Sequence, residues 1–178
     1  MELKKRNFFI SLLKFAPLIL LFISVLNEFD FNYLNLKYFS FNFPFILIYY
    51  WSLKRSESLG YGYIFIAGLI NDVVVGFPIG FTSVNYLLIC GFAAYLRNIT
   101  LRQRMIHDWF FFLFTILVVN SLSYLVLVTA FSTKINYIEL IFNILFTFLL
   151  FIVFANLFEI FHKAIFKEEK WSVQMKVV

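Results

Sequence analysis

The sequence predicts an all-α, polytopic membrane protein with about six transmembrane helices, one integral membrane domain over residues 1–178, and both termini in the cytoplasm. Of the 178 residues, 62% are hydrophobic and only 14% are charged, whereas a soluble domain carries about 25% charged residues. A helix that crosses a bilayer needs roughly 20 mainly apolar residues. Charge-free stretches include residues 58–71, 73–96, 109–133 and 140–158. Composition and charge distribution together indicate a helical membrane protein.

The apolar segments predict helices at about residues 8–26, 38–53, 59–75, 79–96, 109–131 and 137–162. The first segment follows three basic residues and contains Lys14 and Pro17. Because Asn27 and Glu28 follow it instead of a small-residue cleavage site, we expect an uncleaved helix. The second segment begins near Pro44 and predicts a short, tilted or partly re-entrant helix.

Residues 163–178 are expected to form a cytoplasmic tail. This tail is predicted to be either a surface helix with Trp171 at the lipid headgroups or a disordered segment. Disorder is favoured because chain termini without packing partners usually fray.

The distribution of basic residues supports the predicted topology. With six spans, all but two of the fifteen lysines and arginines lie on the cytoplasmic side, as the positive-inside rule expects. The two exceptions are Lys37 and Lys134. Removing the second span would invert every later segment and would destroy this asymmetry.

One carboxylate, Asp72, lies inside the otherwise uncharged run GLINDVVVGFPIGF at residues 68–81. An ionised carboxylate at the centre of a transmembrane helix costs about 2.5 to 3.5 kcal/mol on insertion scales, so it needs a shallow position or a partner. At about 1.5 Å per residue, Asp72 lies near the outer end of the third helix. Gly76, Pro78 and Gly80 follow: Pro78 suits the first turn of the fourth helix, and the glycines permit a tight reversal and close helix approach.

We therefore expect Asp72 to accept hydrogen bonds at the start of the fourth helix, from its exposed N–H groups and from the hydroxyls of Thr82 and Ser83. In this interpretation Asp72 braces the chain reversal internally. The alternative is that Asp72 serves an external partner or carries a proton. Unchanged abundance and activity in Asp72→Asn would contradict every interpretation that requires the charge.

Other polar residues are candidates for function. Those of the fifth and sixth helices predict hydrogen bonds between helices or, alternatively, a pathway for a solute; they are Asn120, Ser121, Ser123, Asn143, Thr147 and Asn156. Glu159 and His162 lie three residues apart on one helix face, a spacing that suits a metal. Since two ligands do not make a metal site, we predict an interfacial polar cluster there. His107 and Asp108 are expected in a solvated loop.

The sequence favours a protein that is not an enzyme. It contains no phosphate-binding loop, zinc-protease signature, nucleophile elbow or pair of cysteines. Cys90 is expected to be a small buried hydrophobic residue. The net charge of +5 is explained by membrane orientation and by anionic lipid, so no nucleic-acid partner is expected. No cofactor, metal or small-molecule substrate is predicted.

The segment from residue 43 to residue 98 resembles the central region of the bacterial rod shape-determining protein MreD family. The shared features are a short helix opened by proline, a basic turn, and Gly-x-x-x-Asp followed by Gly, Pro and Gly. In this sequence those positions are Gly68, Asp72, Gly76, Pro78 and Gly80. Length, six spans and cytoplasmic termini also agree with the family. Asn71 departs from it, because the family usually has an apolar residue there.

The resemblance implies a non-enzymatic inner-membrane component of the cell-elongation machinery. Such a protein binds the bitopic membrane protein MreC and helps couple MreB filaments to the complex that synthesises peptidoglycan. The family has no known cofactor, and its fold is similar to the substrate-binding subunit of energy-coupling-factor transporters. That similarity gives the alternative function, solute capture for transport. Those subunits usually carry Ala-x-x-x-Ala on the first helix; here Ala16 is followed by Leu20, which does not favour docking of that kind.

Overall fold

The computed structural model describes residues 15–26, 40–54, 59–100, 105–131 and 137–177, with side chains described as far as Lys163. Within these ranges the chain forms six α-helices and no strand. They are α1 (Ala16–Leu26), α2 (Phe43–Lys54), α3 (Tyr61–Val75), α4 (Phe81–Ile99), α5 (Met105–Phe131) and α6 (Tyr137–Val177). Each of the six predicted apolar segments therefore overlaps one helix, although the part of the first segment before residue 15 lies outside the described residues.

Two of these helices are long and apolar enough to cross a bilayer. They are α5, at Met105–Phe131, and the first part of α6, at Tyr137–Lys163. The helices at Ala16–Leu26 and Tyr61–Val75 are apolar but shorter. Most side chains of α5 and of the described part of α6 are exposed or half-buried, as expected for helices that face lipid.

The centre of the bundle is α2, whose residues Phe43 to Leu53 are all buried. The ring of Tyr49 packs against Phe112 of α5 and Phe151 of α6, with centroid distances of 4.9 and 5.7 Å. The 12 residues of α2 correspond to about 18 Å of helix, which is less than the ~30 Å thickness of the bilayer hydrocarbon. The expectation of a short second helix is confirmed, and Pro44 occupies its first turn, where proline is favoured.

From α2 to α4, helices that follow one another in the chain run in opposite directions. The pairs Phe65–Ser83 and Asp72–Gly80 make α3 and α4 antiparallel, while Phe45–Tyr86 and Ser52–Cys90 make α2 and α4 parallel. As a result the bundle has two ends. One, the reversal end, contains the connection between α3 and α4; the other, the basic end, contains Lys54, Arg97 and Lys163.

The structure corrects several predicted boundaries. Helix α2 begins at Phe43, because residues 40–42, which were predicted to belong to it, are not helical. Helix α5 begins at Met105, four residues before the prediction, so that Asp108 belongs to its first turn. An acidic residue stabilises the first turn of a helix, whereas the prediction began the helix only after Asp108. Helix α6 continues to Val177, so the disorder favoured for residues 163–178 is wrong. No glycine or proline interrupts residues 163–177, and the helix has no local reason to stop.

Candidate functional site

The reversal between α3 and α4 begins at Gly76. This residue adopts the left-handed conformation, with φ 78° and ψ 26°, which glycine adopts without steric penalty. The backbone carbonyl of Asp72 accepts the N–H groups of both Gly76 and Phe77, each at 2.9 Å. The last carbonyl groups of a helix lack partners within the helix, so these two bonds satisfy the carbonyl of Asp72 and end α3.

The side chain of Asp72 caps the next helix. It is fully buried, at 0% exposure, and its Oδ2 accepts the N–H of Gly80 at 2.7 Å while its Oδ1 accepts the N–H of Thr82 at 2.8 Å. Gly80 is the N-cap residue of α4 and has no side chain to cap the first turn. A carboxylate at a helix N-terminus is favoured both by the free N–H groups and by the helix dipole. Asp72 of α3 therefore supplies the cap that α4 lacks.

The predicted hydrogen bonds from N–H groups of α4 to Asp72 are confirmed by these contacts. The prediction that the hydroxyl groups of Thr82 and Ser83 donate to Asp72 is wrong, because they bond to other groups. Ser83 Oγ donates to the carbonyl of Phe65 at 3.0 Å, and Thr82 Oγ1 accepts from the Asn71 amide at 3.4 Å. The departure from the family pattern at Asn71 thus adds a weak second link between the two helices.

Pro78 lies in the turn and not in the first turn of α4, which corrects the prediction. The N–H of Phe81 donates to the carbonyl of Pro78 at 3.1 Å. Gly80, the third residue of this turn, has φ 94° and ψ −12°, the values of a type II turn at that position. The helix starts at Phe81 because Gly80 must take the positive φ angle that the turn requires.

Gly68 permits the close packing of α3 against α4. A Cβ atom built at this position would lie 2.4 Å from the Cα and 2.6 Å from the backbone N of Ser83. Because backbone atoms cannot move aside as the end of a side chain can, only glycine allows this helix separation. Gly68, Asp72, Gly76 and Gly80 together make one compact, internally hydrogen-bonded corner.

A groove opens between α4 and α5 next to this corner. It has a volume of about 590 Å³, and its lining includes Pro78, Ile79 and Gly80 at the reversal end, Val84, Asn85 and Leu88 of α4, and Leu122, Ser123, Val126 and Phe131 of α5. A second depression of about 540 Å³ shares Val84 and Leu88 and extends along α4 to Gly91 and Tyr95. We call the two together the α4–α5 groove. Its walls are almost entirely apolar.

Asn85 places an amide group in the groove. The side chain is 8% exposed, and its Oδ1 lies 2.8 Å from Ser123 Oγ. The same hydroxyl lies 2.8 Å from the carbonyl of Val119, and its single proton serves one acceptor at a time. The Nδ2 end of the amide has no hydrogen-bond partner among the described residues. Asn85 is not among the residues predicted from the sequence, although a lone amide in a charge-free apolar segment is a signal that could have identified it.

Polar residues of α5 and α6 make the predicted contacts between elements at several positions. Thr147 Oγ1 accepts the N–H of Asn42 at 2.9 Å, and Asn143 Nδ2 donates to Ser40 Oγ at 3.0 Å. Asn120 instead donates to the carbonyl of Ile116 in its own helix, and Ser121 and Asn156 are exposed. The interhelical interpretation is confirmed for Ser123, which bonds Asn85 of α4, whereas Asn143 and Thr147 bond the segment that precedes α2.

The other candidates lie at the basic end. Glu159 forms an ion pair with Lys163 at 2.7 Å, and the ring of His162 packs against Trp51 at 5.9 Å. The described ranges contain no group of three residues that could hold a metal ion. Cys90 is buried and accepts a hydrogen bond from Ser52 at 3.1 Å, which confirms its prediction as a buried residue.

Asp108 is not in a solvated loop, and this prediction was wrong. It is 4% exposed, its Oδ2 lies 3.7 Å from Lys54 Nζ, and its backbone carbonyl accepts from the Tyr49 hydroxyl at 3.2 Å. Its partner is 54 positions away in the sequence, so no local pattern could have revealed the burial.

These features define the class of the protein. It is a helical membrane protein whose most elaborate polar arrangement joins two of its own helices. The family model for rod shape-determining protein MreD matches residues 6–163 of the chain. The chain belongs to the MreD family, and this family is one of shape-determining components and not a known family of enzymes.

Neither the curated proteins nor the solved structures show a match to this chain. The similarity to the substrate-binding subunit of energy-coupling-factor transporters is therefore not confirmed. The alternative function, solute capture, has no support from the family match.

Proposed function

We propose that this chain is a multi-pass protein of the bacterial inner membrane that acts as a non-enzymatic scaffold of the rod-shape machinery. In this role it binds the single-span membrane protein MreC and helps couple MreB filaments to peptidoglycan synthesis. Membership of the MreD family supports the rod-shape role. The geometry supports a scaffold because its buried polar groups are used to hold helices together.

The observation that carries the binding proposal is the α4–α5 groove. Its combined length along α4, from Phe81 to Tyr95, corresponds to about 21 Å at 1.5 Å per residue, roughly two thirds of the hydrocarbon thickness of a bilayer. An apolar groove of this length can accommodate most of one transmembrane helix. The proposed occupant is the membrane span of MreC.

Two positions give the groove its recognition chemistry. Gly91 has open space where a Cβ would be, which allows a second helix to approach closely, as small residues do in membrane helix interfaces. The amide of Asn85 offers a hydrogen bond that is worth about 0.6 to 2 kcal/mol between membrane helices. The two positions are six residues apart, about 9 Å along the helix. The partner is expected to carry a polar residue and a small residue about two helical turns apart.

The corner between α3 and α4 fixes the end of this groove. Pro78, Ile79 and Gly80 line the groove at the reversal end, and Ile79 is 80% exposed. Because Asp72 accepts the N–H of Gly80, the position of these residues depends on the carboxylate. We propose that Gly68, Asp72, Gly76, Pro78 and Gly80 act by holding this end of the binding surface in shape.

The test is site-specific photocrosslinking in native membranes. A photoreactive residue replaces Val84 or Leu122, which line the groove, and a control replaces Val73, an exposed residue of α3 that is also near the reversal end. We expect crosslinks to the membrane span of MreC from the two groove positions and not from Val73. Equal crosslinking from all three positions, or none from the groove, would overturn the proposed site.

A further inference from the structure

A small cavity lies at the basic end of the bundle, and none of its lining residues also lines the α4–α5 groove. Its volume is about 40 Å³, and its lining includes Lys54, Asp108, Trp109, Ile152 and Ala155. A single water molecule needs about 10 to 15 Å³ on this scale. The cavity thus has room for about three water-sized groups and not for a helix or a whole lipid headgroup.

Asp108, one of the residues that line the cavity, has a carboxylate oxygen without a hydrogen-bond partner among the described residues. Asp108 is 4% exposed, and its Oδ1 is buried without a hydrogen-bond partner among the described residues. Its other oxygen, Oδ2, pairs with Lys54 Nζ at 3.7 Å. An unsatisfied buried acceptor of a charged group is costly, so the site favours a ligand that brings N–H or O–H donors to Oδ1.

The position of the cavity indicates where the ligand comes from. Asp108 is three residues past the start of α5, and Lys54 is the last residue of α2, so both lie at helix ends, where lipid headgroups meet a membrane protein. Met105 and Ile152, which are exposed, border the cavity together with the ring of Trp109. Tryptophan is enriched at this depth of membrane proteins.

The charges match a zwitterionic lipid. A primary ammonium group is compact and carries three donors, so it fits the cavity and can donate to Asp108 Oδ1. Lys54, whose side chain is 24% exposed, places a positive charge beside the mouth for the lipid phosphate. Ile152 and Met105 offer apolar surface that can contact the glycerol and the first carbons of the acyl chains.

We propose that the cavity between α2, α5 and α6 binds the primary ammonium group of an aminophospholipid, with Asp108 as its acceptor. This site is separate from the proposed docking of a transmembrane helix and does not depend on it. Its function would be to fix one lipid at the junction of three helices. The residues that carry the proposal are Asp108, Lys54 and Ile152.

The experiment measures lipid retention by native mass spectrometry. The full chain is released from bilayers containing equal amounts of phosphatidylethanolamine, phosphatidylcholine and phosphatidylglycerol with identical acyl chains. Phosphatidylcholine is the informative competitor because its trimethylated nitrogen has no N–H and is too bulky for the cavity. We expect about tenfold preferential retention of phosphatidylethanolamine, equivalent to about 1.4 kcal/mol.

Variants test whether the preference for phosphatidylethanolamine arises at the cavity. Asp108→Asn is expected to abolish the preference, whereas Glu159→Gln, which changes a carboxylate of α6 outside the cavity lining, is expected to retain it. Ile152→Trp narrows the mouth, keeps the carboxylate and is expected to reduce retention. This second variant tests the proposal even if Asp108→Asn does not fold.

Three outcomes would overturn the proposal. Equal retention of phosphatidylethanolamine and phosphatidylcholine would show that no lipid ammonium group binds Asp108 Oδ1, and that water is its partner. An unchanged preference for phosphatidylethanolamine in both Asp108→Asn and Ile152→Trp would show that the lipid binds at another site. Loss of a co-purifying protein in Asp108→Asn, without any lipid preference in the parent, would assign the ammonium group to a lysine of that protein.

Discussion

Gly68 and Ser83 approach so closely that a Cβ atom on residue 68 would lie 2.4 Å from the Cα of Ser83. The contact is between two helix backbones, and on the same face Asp72 caps α4 through the N–H groups of Gly80 and Thr82. Close approach and capping depend on each other, because the carboxylate reaches the next helix only if the helices are this near. Substitutions at Gly68, Asp72 and Gly80 separate the contribution of the close helix approach to stability from that of the cap and of the turn.

Gly68→Ala is expected to destabilise the protein by about 1 to 3 kcal/mol, the usual cost of overpacking. The methyl group would push the backbone of α4 away from α3. The measurement is thermal unfolding in detergent, followed with a thiol-reactive dye that reports exposure of Cys90, the single cysteine, which is buried. Gly62→Ala is the control, since a Cβ there meets nothing within 4 Å. Similar melting temperatures for the two variants would contradict the close approach.

Asp72→Ala is expected to cost about 3 kcal/mol or more, because two hydrogen bonds to a charged acceptor are lost and each is worth about 1.5 to 3 kcal/mol. Asp72→Asn keeps one acceptor oxygen and is expected to cost roughly half as much. The same unfolding assay measures both. Asn71→Ala serves as the neighbouring control, with a small effect expected from its 3.4 Å contact to Thr82. If Asp72→Ala unfolds at the parent temperature, the brace is unimportant for stability.

Gly80→Ala is expected to destabilise the reversal through backbone conformation alone. Residue 80 has φ 94°, and a Cβ there meets nothing within 4 Å, so the cost is that of the left-handed conformation, about 1 to 2 kcal/mol. Gly80→Asn is expected to lose less, since asparagine tolerates positive φ angles. The ranking glycine, asparagine, alanine in melting temperature is the diagnostic result; an alanine variant as stable as the asparagine variant would contradict it.

Asn85→Leu is expected to leave stability nearly unchanged while weakening partner binding. Ser123 retains the carbonyl of Val119 as an acceptor, so the substitution leaves no hydroxyl donor without a partner. Co-purification with MreC in mild detergent, at matched abundance, is expected to fall by about three- to thirtyfold, from the 0.6 to 2 kcal/mol of a membrane hydrogen bond. Asn120→Leu is the control, because that amide bonds within its own helix. Unchanged co-purification would remove Asn85 from the interface.

Cysteine labelling tests the membrane topology. We expect a membrane-impermeant thiol reagent to label Ile79→Cys in intact cells, because residue 79 is 80% exposed and the reversal end is predicted to face outward. Lys163→Cys is expected to react only after the membrane is permeabilised. The parent protein, whose Cys90 is buried, gives the background. The opposite pattern of labelling would invert the proposed topology.

Much of the fold follows from local properties of the chain. The apolar lengths predicted six helical segments, and the breakers Gly76, Pro78 and Gly80 marked the reversal, since positive φ angles and proline restrict the backbone wherever they occur. The acceptor role of Asp72 was also predictable, because a carboxylate in an apolar segment requires a donor and the chain reversal that follows brings the start of the next helix close to it. The family pattern itself contains these same positions.

What the tertiary structure decided involves residues that are far apart in sequence. The donors to Asp72 are backbone N–H groups. Lys54 of α2 pairs with Asp108 of α5, and Asn85 lines the groove. Each depends on how two or three helices pack side by side, and lone residues such as Asp108 give no periodic signal of that packing. The sequence by itself determined the membrane class and the corner between α3 and α4, because apolar length and backbone restriction act locally. Only packing determined the groove and the cavity, because both are spaces between helices.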